Sequence, residues 1–359
     1  MRWDRLTLGK PAALESPPGA RGVEEELAAL TGCERAVLAP STLHVFWDLF
    51  GILAKQDVAI FLDGGSYPIA QWGVERAAGL GVPVRRFRQH DTKALRSLLK
   101  GAGRKRPIVV ADGYCISCGA TAPIEEYLEC VKPRSGLVVL DDTQALGIFG
   151  HSQGRWAPYG KEGGGSLRRV GVRDQAVVLV SSLAKAFGTP VAVLAASGAI
   201  VEGFELFSET RNHCSPPSAA VIAAASRALA INSRRGDAVR RRLAQRVEQF
   251  WLRLEGLNLV APGGLFPVQA LRLREGIDAG TLHETLSDRG VQTVLHRGRN
   301  GTGARISFII TARHTAGEID RAAACLVDAV VRRPRRVSKG ARRDDDAIAS
   351  AGGAVRGVF

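Results

Sequence analysis

Residues 136–150 read GLVVLDDTQALGIFG, and the fold turns on them. Five apolar residues, without polar alternation, end in two acids and then a loop holding two glycines. A run this short that is apolar on both faces is a strand buried between two helical layers. Working outward, four more runs share the pattern: 57–63 (DVAIFLD), 107–112 (PIVVAD), 176–182 (AVVLVSS) and 191–197 (VAVLAAS). Helical patterns lie between them, so the segment is expected to form a wound α/β sheet. In such sheets chemistry gathers at the carboxyl ends of the strands. Asp63, Asp112, Asp141 and Ser182 all stand there.

Beyond 212–217 (NHCSPP) the texture changes. An Ala-rich helix is expected over 218–232 and a long amphipathic one over 236–257, with Val239, Leu243, Val247, Phe250 and Trp251 on one side. Shorter strands at 265–273 and 304–311 and a helix at 316–331 suggest a smaller α+β lobe. The expected division is an arm (1–22), a large α/β domain (23–235), a small α+β domain (236–332) and a basic, disordered tail (333–359).

With 359 residues the chain is large enough for such a core. Its 49 Lys and Arg against 35 Asp and Glu give +14, concentrated partly in 331–343 (VRRPRRVSKGARR). Aromatics are 6% and do not alternate with the basic residues, so a stacking platform for nucleic acid is not expected. An anionic small co-substrate, a CoA ester or a nucleotide, uses the same charge. The start, MRWDRLTLGK, carries charges where a signal peptide needs an apolar stretch, and no apolar run approaches a membrane span. A cytoplasmic protein is expected. Six scattered cysteines do not form a disulfide framework. Cys115 and Cys118 make one C-x-x-C without a second pair, so no metal is expected. Cys33, Cys130 and Cys325 are expected to be buried thiols, and His314 to cap the last helix.

The second informative stretch is 181–188, SSLAKAFG, a Lys among small residues after a buried strand. Such a setting favours the neutral amine that a Schiff-base lysine needs. A carboxylate at a neighbouring strand end, Asp141, suits the ring nitrogen of a pyridoxal cofactor, which then acts as an electron sink.

Five blocks in order carry a resemblance. EEELAALTGCERAVL (24–38) precedes the phosphate loop. DGYCISCGATAPIEEY (112–127) resembles EGVYSMDGDIAPL, LDDTQALGIFG (140–150) resembles VDDAHGTGVLG, SSLAKAFG resembles TFGKAFG, and RISFIITARHTAGEIDRA (305–322) resembles RLRISVTAAHTEEDIDRL. The chain thus resembles the α-oxoamine synthases, fold-type-I enzymes that use pyridoxal 5′-phosphate. The resemblance implies a mainly parallel seven-stranded sheet between helices, a smaller α+β domain, and a homodimer with shared sites. It implies that Lys185 binds the cofactor and moves the Cα proton, and that Asp141 pairs with the pyridine nitrogen. Ser182, Ser41 and Thr42 are implied in phosphate binding, as are His213 and Cys214 toward the neighbouring subunit.

The departures fall on substrate chemistry. Gln144 replaces a histidine that bonds the phenolic oxygen, and Tyr67 replaces one that stacks on the ring. Cys118 replaces an Asp. Ser307 stands where an arginine grips the substrate carboxylate, a role that Arg305 or Arg299 (or Arg297) is expected to assume. The NDYLGL and GSGGSR stretches of the acyl-CoA entrance have no counterpart. The implied reaction is C–C bond formation at Cα of an amino acid, with an acyl thioester as second substrate. The alternatives are β/γ-replacement, annulation or transamination with a non-CoA co-substrate, or a non-catalytic basic binding protein.

Overall fold

The structure is a computed structural model that describes residues 6–331 except 102, 117, 153, 155, 156, 256, 258, 260–263, 274 and 297–303. In chain order come α1 (Ala20–Thr31), β1 (Arg35–Ala39), α2 (Thr42–Leu53), β2 (Val58–Asp63), α3 (Pro68–Gly79), β3 (Val84–Phe87), α4 (Thr92–Lys100) and β4 (Arg106–Asp112). A hairpin of β5 (Tyr114–Cys115) and β6 (Ala120–Thr121) leads to α5 (Ile124–Val131), β7 (Leu137–Asp141), α6 (Ser166–Val170), β8 (Val177–Ser182) and β9 (Ala192–Ala196). Next are α7 (Gly198–Phe207), α8 (Glu209–His213) and α9 (Ala219–Arg253). The chain closes with β10 (Val268–Ala270), α10 (Ala279–Asp288), β11 (Val294–His296), β12 (Arg305–Ile309) and α11 (Ala316–Val331).

Seven strands form one sheet in the order β1-β9-β8-β7-β4-β2-β3, parallel except for β9. Alternate residues of each central strand enter two different cores. Phe61, Val109, Leu140 and Leu179 pack on the side of α1, α4 and α5. Ile60, Val110, Val139 and Val180 pack on the side of α2, α3 and α7. Each side is sealed from water, which is why these strands show no polar alternation. A third core gathers Leu243, Val247 and Phe250 of α9, Ile306 and Phe308 of β12, and Ile319 and Leu326 of α11 around the sheet β10-β12-β11.

The expected break between two helices near residue 235 does not occur; α9 runs unbroken for 35 residues. Gly236 survives inside it because the guanidinium of Arg240 fills its space: a Cβ there would lie 2.7 Å from one guanidinium nitrogen. Arg240 is buried and donates to the Gly147 carbonyl (3.0 Å), Asn232 (2.7 Å) and Asp237 (2.6 Å), joining α9 to the loop after β7. His314 does not cap α11. Its ring nitrogen accepts the Thr311 N–H, whereas Thr315 and Glu318 form a reciprocal capping box. Cys33, Cys130 and Cys325 are only half-buried, since each helix or turn leaves one edge to solvent. The basic tail (333–359) lies outside the described residues.

Candidate active site

Strand parity assembles the site. Asp112 and Asp141 are register partners at the ends of β4 and β7, and Ser182 ends the next strand, β8. With Val110, Val139 and Val180 two residues before them, all three point to the face covered by α2 and α3. Ser41 and Tyr67 are the N-caps of those two helices. Residues far apart in sequence thus converge on one side of one sheet end.

The two stretches singled out by sequence meet directly. Asp142 N–H bonds the Val180 carbonyl (2.8 Å), and the Ser182 N–H bonds the Thr143 hydroxyl (3.0 Å). Gly147 sits at φ +83, and a Cβ there would fall 2.5 Å from Ala186 Cβ and 3.1 Å from the Phe187 ring. Only glycine lets the loop after β7 lie against the turn that carries Lys185. Burial pushes the carboxyl of Asp141 up, while two hydrogen bonds from Thr143 and the charge of Lys185 pull it down. Asp112 is raised to about 8, first by burial and then by the negative charge of Asp141. It accepts the Tyr67 N–H at 2.8 Å.

Lys185 is exposed in this single chain, together with Ala184 and Ala186. The buried setting expected for it is not found, because the turn between β8 and β9 projects beyond the sheet end. The Ser182 hydroxyl accepts the Ala184 N–H (3.2 Å). At α2, Ser41 makes no side-chain cap and instead bonds the His44 ring (2.8 Å), so the first N–H groups of a 12-residue helix, Thr42 included, are left without a side-chain cap, the arrangement that suits an anion. Gln144 is half-buried in the loop three residues after Asp141. Tyr67 has an exposed ring at the start of α3. His213 is exposed and Cys214 half-buried at the end of α8. Asp48 of α2 fixes that segment by accepting from the Ser208 and Thr210 hydroxyls.

On β12, Arg305 and Ser307 share a face, as their spacing predicts. Arg305 is exposed and Ser307 is buried against the His296 ring (3.0 Å). Arg297 and Arg299 lie outside the described residues. Among the described residues no group of three or more His, Cys, Asp or Glu is placed to hold a metal ion. Thr143 was not expected at the site. Its bonds exist only because two loops meet, so no sequence pattern signals them. The set fits pyridoxal phosphate: an uncapped helix N-terminus for the phosphate, an amine on the adjoining turn, and a buried acid that gains from a cationic partner.

The chain matches the pattern of the aminotransferase class I and II family over residues 12–326. It belongs to that family. This aminotransferase class I and II member is thus a pyridoxal-phosphate-dependent transferase, as the resemblance implied. It is 29% identical over 309 residues to the 8-amino-7-oxononanoate synthase of Alcanivorax borkumensis, covering 85% of this chain and 76% of that one. It is 28% identical over 313 residues to the synthase of the same name from Nitrosococcus oceani (85% and 78% covered). Two solved structures share the fold. Sphingomonas wittichii serine palmitoyltransferase has a TM-score of 0.77 at 18% identity, covering 90% of this chain and 79% of that chain. The Francisella tularensis 8-amino-7-oxononanoate synthase has a TM-score of 0.70 at 18% identity, covering 88% of each. An SPT solved with PLP aligns at 0.79, 19% identity, over 90% and 79%.

Proposed function

We propose that the chain joins Cα of an amino acid to the acyl carbon of a thioester, with pyridoxal phosphate held at Lys185. The observation that carries this is the meeting of the Asp141 loop and the Lys185 turn, locked by Gly147 and the Thr143–Ser182 bond. When bound, the cofactor supplies an electron sink for the pair left at Cα. Asp141 holds the ring-nitrogen proton. Lys185 would hold the cofactor and would move the Cα proton of the amino acid. Ser41, Thr42 and Ser182 bind the phosphate through hydroxyl and backbone N–H groups, and Tyr67 covers the ring. Gln144 donates to the phenolic oxygen but cannot carry a proton. Arg305 grips the substrate carboxylate, with Arg299 as the second candidate.

Relatives named 8-amino-7-oxononanoate synthase and serine palmitoyltransferase favour thioester condensation over replacement, annulation or transamination. The net charge of +14 supports an anionic thioester such as an acyl-CoA. A homodimer is part of the proposal, with His213 and Cys214 reaching the partner's phosphate. Exposed apolar side chains support it: Leu43 and Trp47 on α2, Trp72 on α3, Leu206 and Phe207 on α7. No described helix is long and apolar enough to cross a membrane. A cytoplasmic location belongs to the same proposal.

The test combines purified protein, pyridoxal phosphate, a panel of small amino acids and an acyl-CoA, following release of the CoA thiol. Thiol release that needs both substrates is expected, and Lys185→Ala abolishes it. Turnover of an amino acid bearing a γ-leaving group, without any thioester, would contradict the assignment.

A further inference from the structure

Within α2 (TLHVFWDLFGIL) a single acid, Asp48, stands in an apolar run and is buried like its neighbours Phe46 and Phe50. A carboxylate kept from water is stable only where donors surround it. Its three donors come from one short segment: the Ser208 hydroxyl, the Thr210 hydroxyl and the Thr210 N–H (3.1 Å). Each of these residues leads on into α8. The Ser208 oxygen, having donated its proton, still accepts the Arg211 N–H (3.3 Å) and so caps the helix. The Thr210 carbonyl accepts the Cys214 N–H (2.7 Å), so one residue joins Asp48 to Cys214 through hydrogen bonds on both sides. Arg76 of α3 holds the same joint. Its guanidinium lies over the Trp47 ring at 4.2 Å and donates to the Trp47 carbonyl (2.5 Å) and to Glu209 (2.6 Å).

We propose that Asp48 is a positioning residue for the cofactor phosphate: by clamping Ser208 and Thr210 it fixes the end of α8, so that His213 and Cys214 stand where the phosphate held by the partner subunit needs them. The inference rests on the dimeric cofactor reading above, which gives those two residues their role. Thr42, at the start of α2, belongs to the chain's own phosphate site, and Asp48 follows it by about 9 Å along the same helix at 1.5 Å per residue. One rigid element therefore offers its N-terminus to one phosphate and, through Asp48, sets the residues offered to the other. A side chain without an acceptor at this place leaves three donors of the α8 segment unpaired, which frees the segment to move toward water.

The experiment measures the affinity of pyridoxal phosphate, and of pyridoxal, which has the same ring and aldehyde without the phosphate. The proteins are the wild type, Asp48→Ala, Asp48→Asn and the double variant His213→Ala/Cys214→Ala, with sedimentation following the dimer in each. In Asp48→Ala the affinity for pyridoxal phosphate is expected to fall about tenfold, the factor of one hydrogen bond to a charged group, while that for pyridoxal stays within about twofold. A general packing defect would weaken both ligands alike. Asp48→Asn keeps an acceptor for the Thr210 N–H and is expected within about threefold of the wild type for both. The double variant should show the same phosphate-specific loss as Asp48→Ala. Should Asp48→Ala fail to fold, Thr210→Val removes one hydroxyl donor at nearly constant shape and makes the same comparison. If the double variant loses phosphate affinity but Asp48→Ala weakens both ligands equally, weakens neither, or loses affinity only by falling into monomers, this inference alone is overturned. A double variant with wild-type affinity, or a wild type that does not bind pyridoxal phosphate, would overturn the reading beneath it as well.

Discussion

Gly147 is where one methyl group decides the geometry of the site. Its φ of +83, and the 2.5 Å at which a Cβ would meet Ala186, leave no room for a side chain. Gly147→Ala should cost more than about 1 kcal/mol of stability, the scale for Ala at positive φ. It should also weaken cofactor binding, because the loop must lift off the Lys185 turn. Thermal unfolding with and without cofactor checks both, and an unchanged melting temperature would contradict the close approach. Asp142 makes a different prediction. It is fully buried, with Oδ1 unpartnered among the described residues, and burial raises it to about 7. The unfolded chain releases this proton near pH 4, as about 3.9 is usual for Asp. Between that value and about 7 the folded state binds the extra proton, so this stabilisation is complete below the window and lost as pH rises through it. The slope is about 1.4 kcal/mol per pH unit. Asp142→Asn retains an acceptor for the Ser166 N–H and removes the titration. Its melting temperature should therefore fall less than that of the wild type from pH 5 to about 7.5. Parallel curves for the two proteins would refute the assignment.

Among the elements, α9 is tied to the loop after β7 by a buried cation. Arg240 holds the Gly147 carbonyl, Asn232 and Asp237, and its guanidinium occupies the space beside Gly236. Arg240→Met leaves the Gly147 carbonyl without its donor and Asp237 with the Glu162 N–H alone. A loss of about 2 kcal/mol or more is expected from such a break. Urea unfolding measures it, and a loss below about 0.5 kcal/mol, the scale of an ordinary surface change, would show that the network is idle. This helix also marks a limit of sequence reading. Gly236 has the low helix propensity of a breaker, and only the folded partner shows why it does not break the helix. The central strands were legible because burial on both faces leaves an unbroken apolar run. The edge strand β3, VRRF, was missed because its arginines face solvent.

At the scale of the whole molecule, the order and spacing of the five motif blocks were enough to anticipate the layered α/β architecture. Sequence alone did not reveal which strand ends are neighbours. The pairing of Asp112 with Asp141 depends on β4 lying beside β7, and the Thr143 bridge depends on two loops meeting. Those contacts are tertiary, with no periodicity to announce them. Oligomeric state is testable at this scale. The exposed Trp47 lies on α2, and Trp72, Leu206 and Phe207 lie on α3 and α7, which pack against it; a homodimer would cover them. Sedimentation should give twice the chain mass, with Phe207→Glu shifted toward the monomer. A wild type that stays monomeric at every concentration would contradict the dimer.

The central claim is that Lys185 and Asp141 form one cofactor centre, and the most direct measurement is chemical trapping. Protein incubated with pyridoxal phosphate is reduced with borohydride, digested, and mapped by mass spectrometry. The account predicts a phosphopyridoxyl group on Lys185 that is lost in Lys185→Ala and reduced in Asp141→Ala. Labelling scattered over surface lysines, or equal in all three proteins, would contradict it.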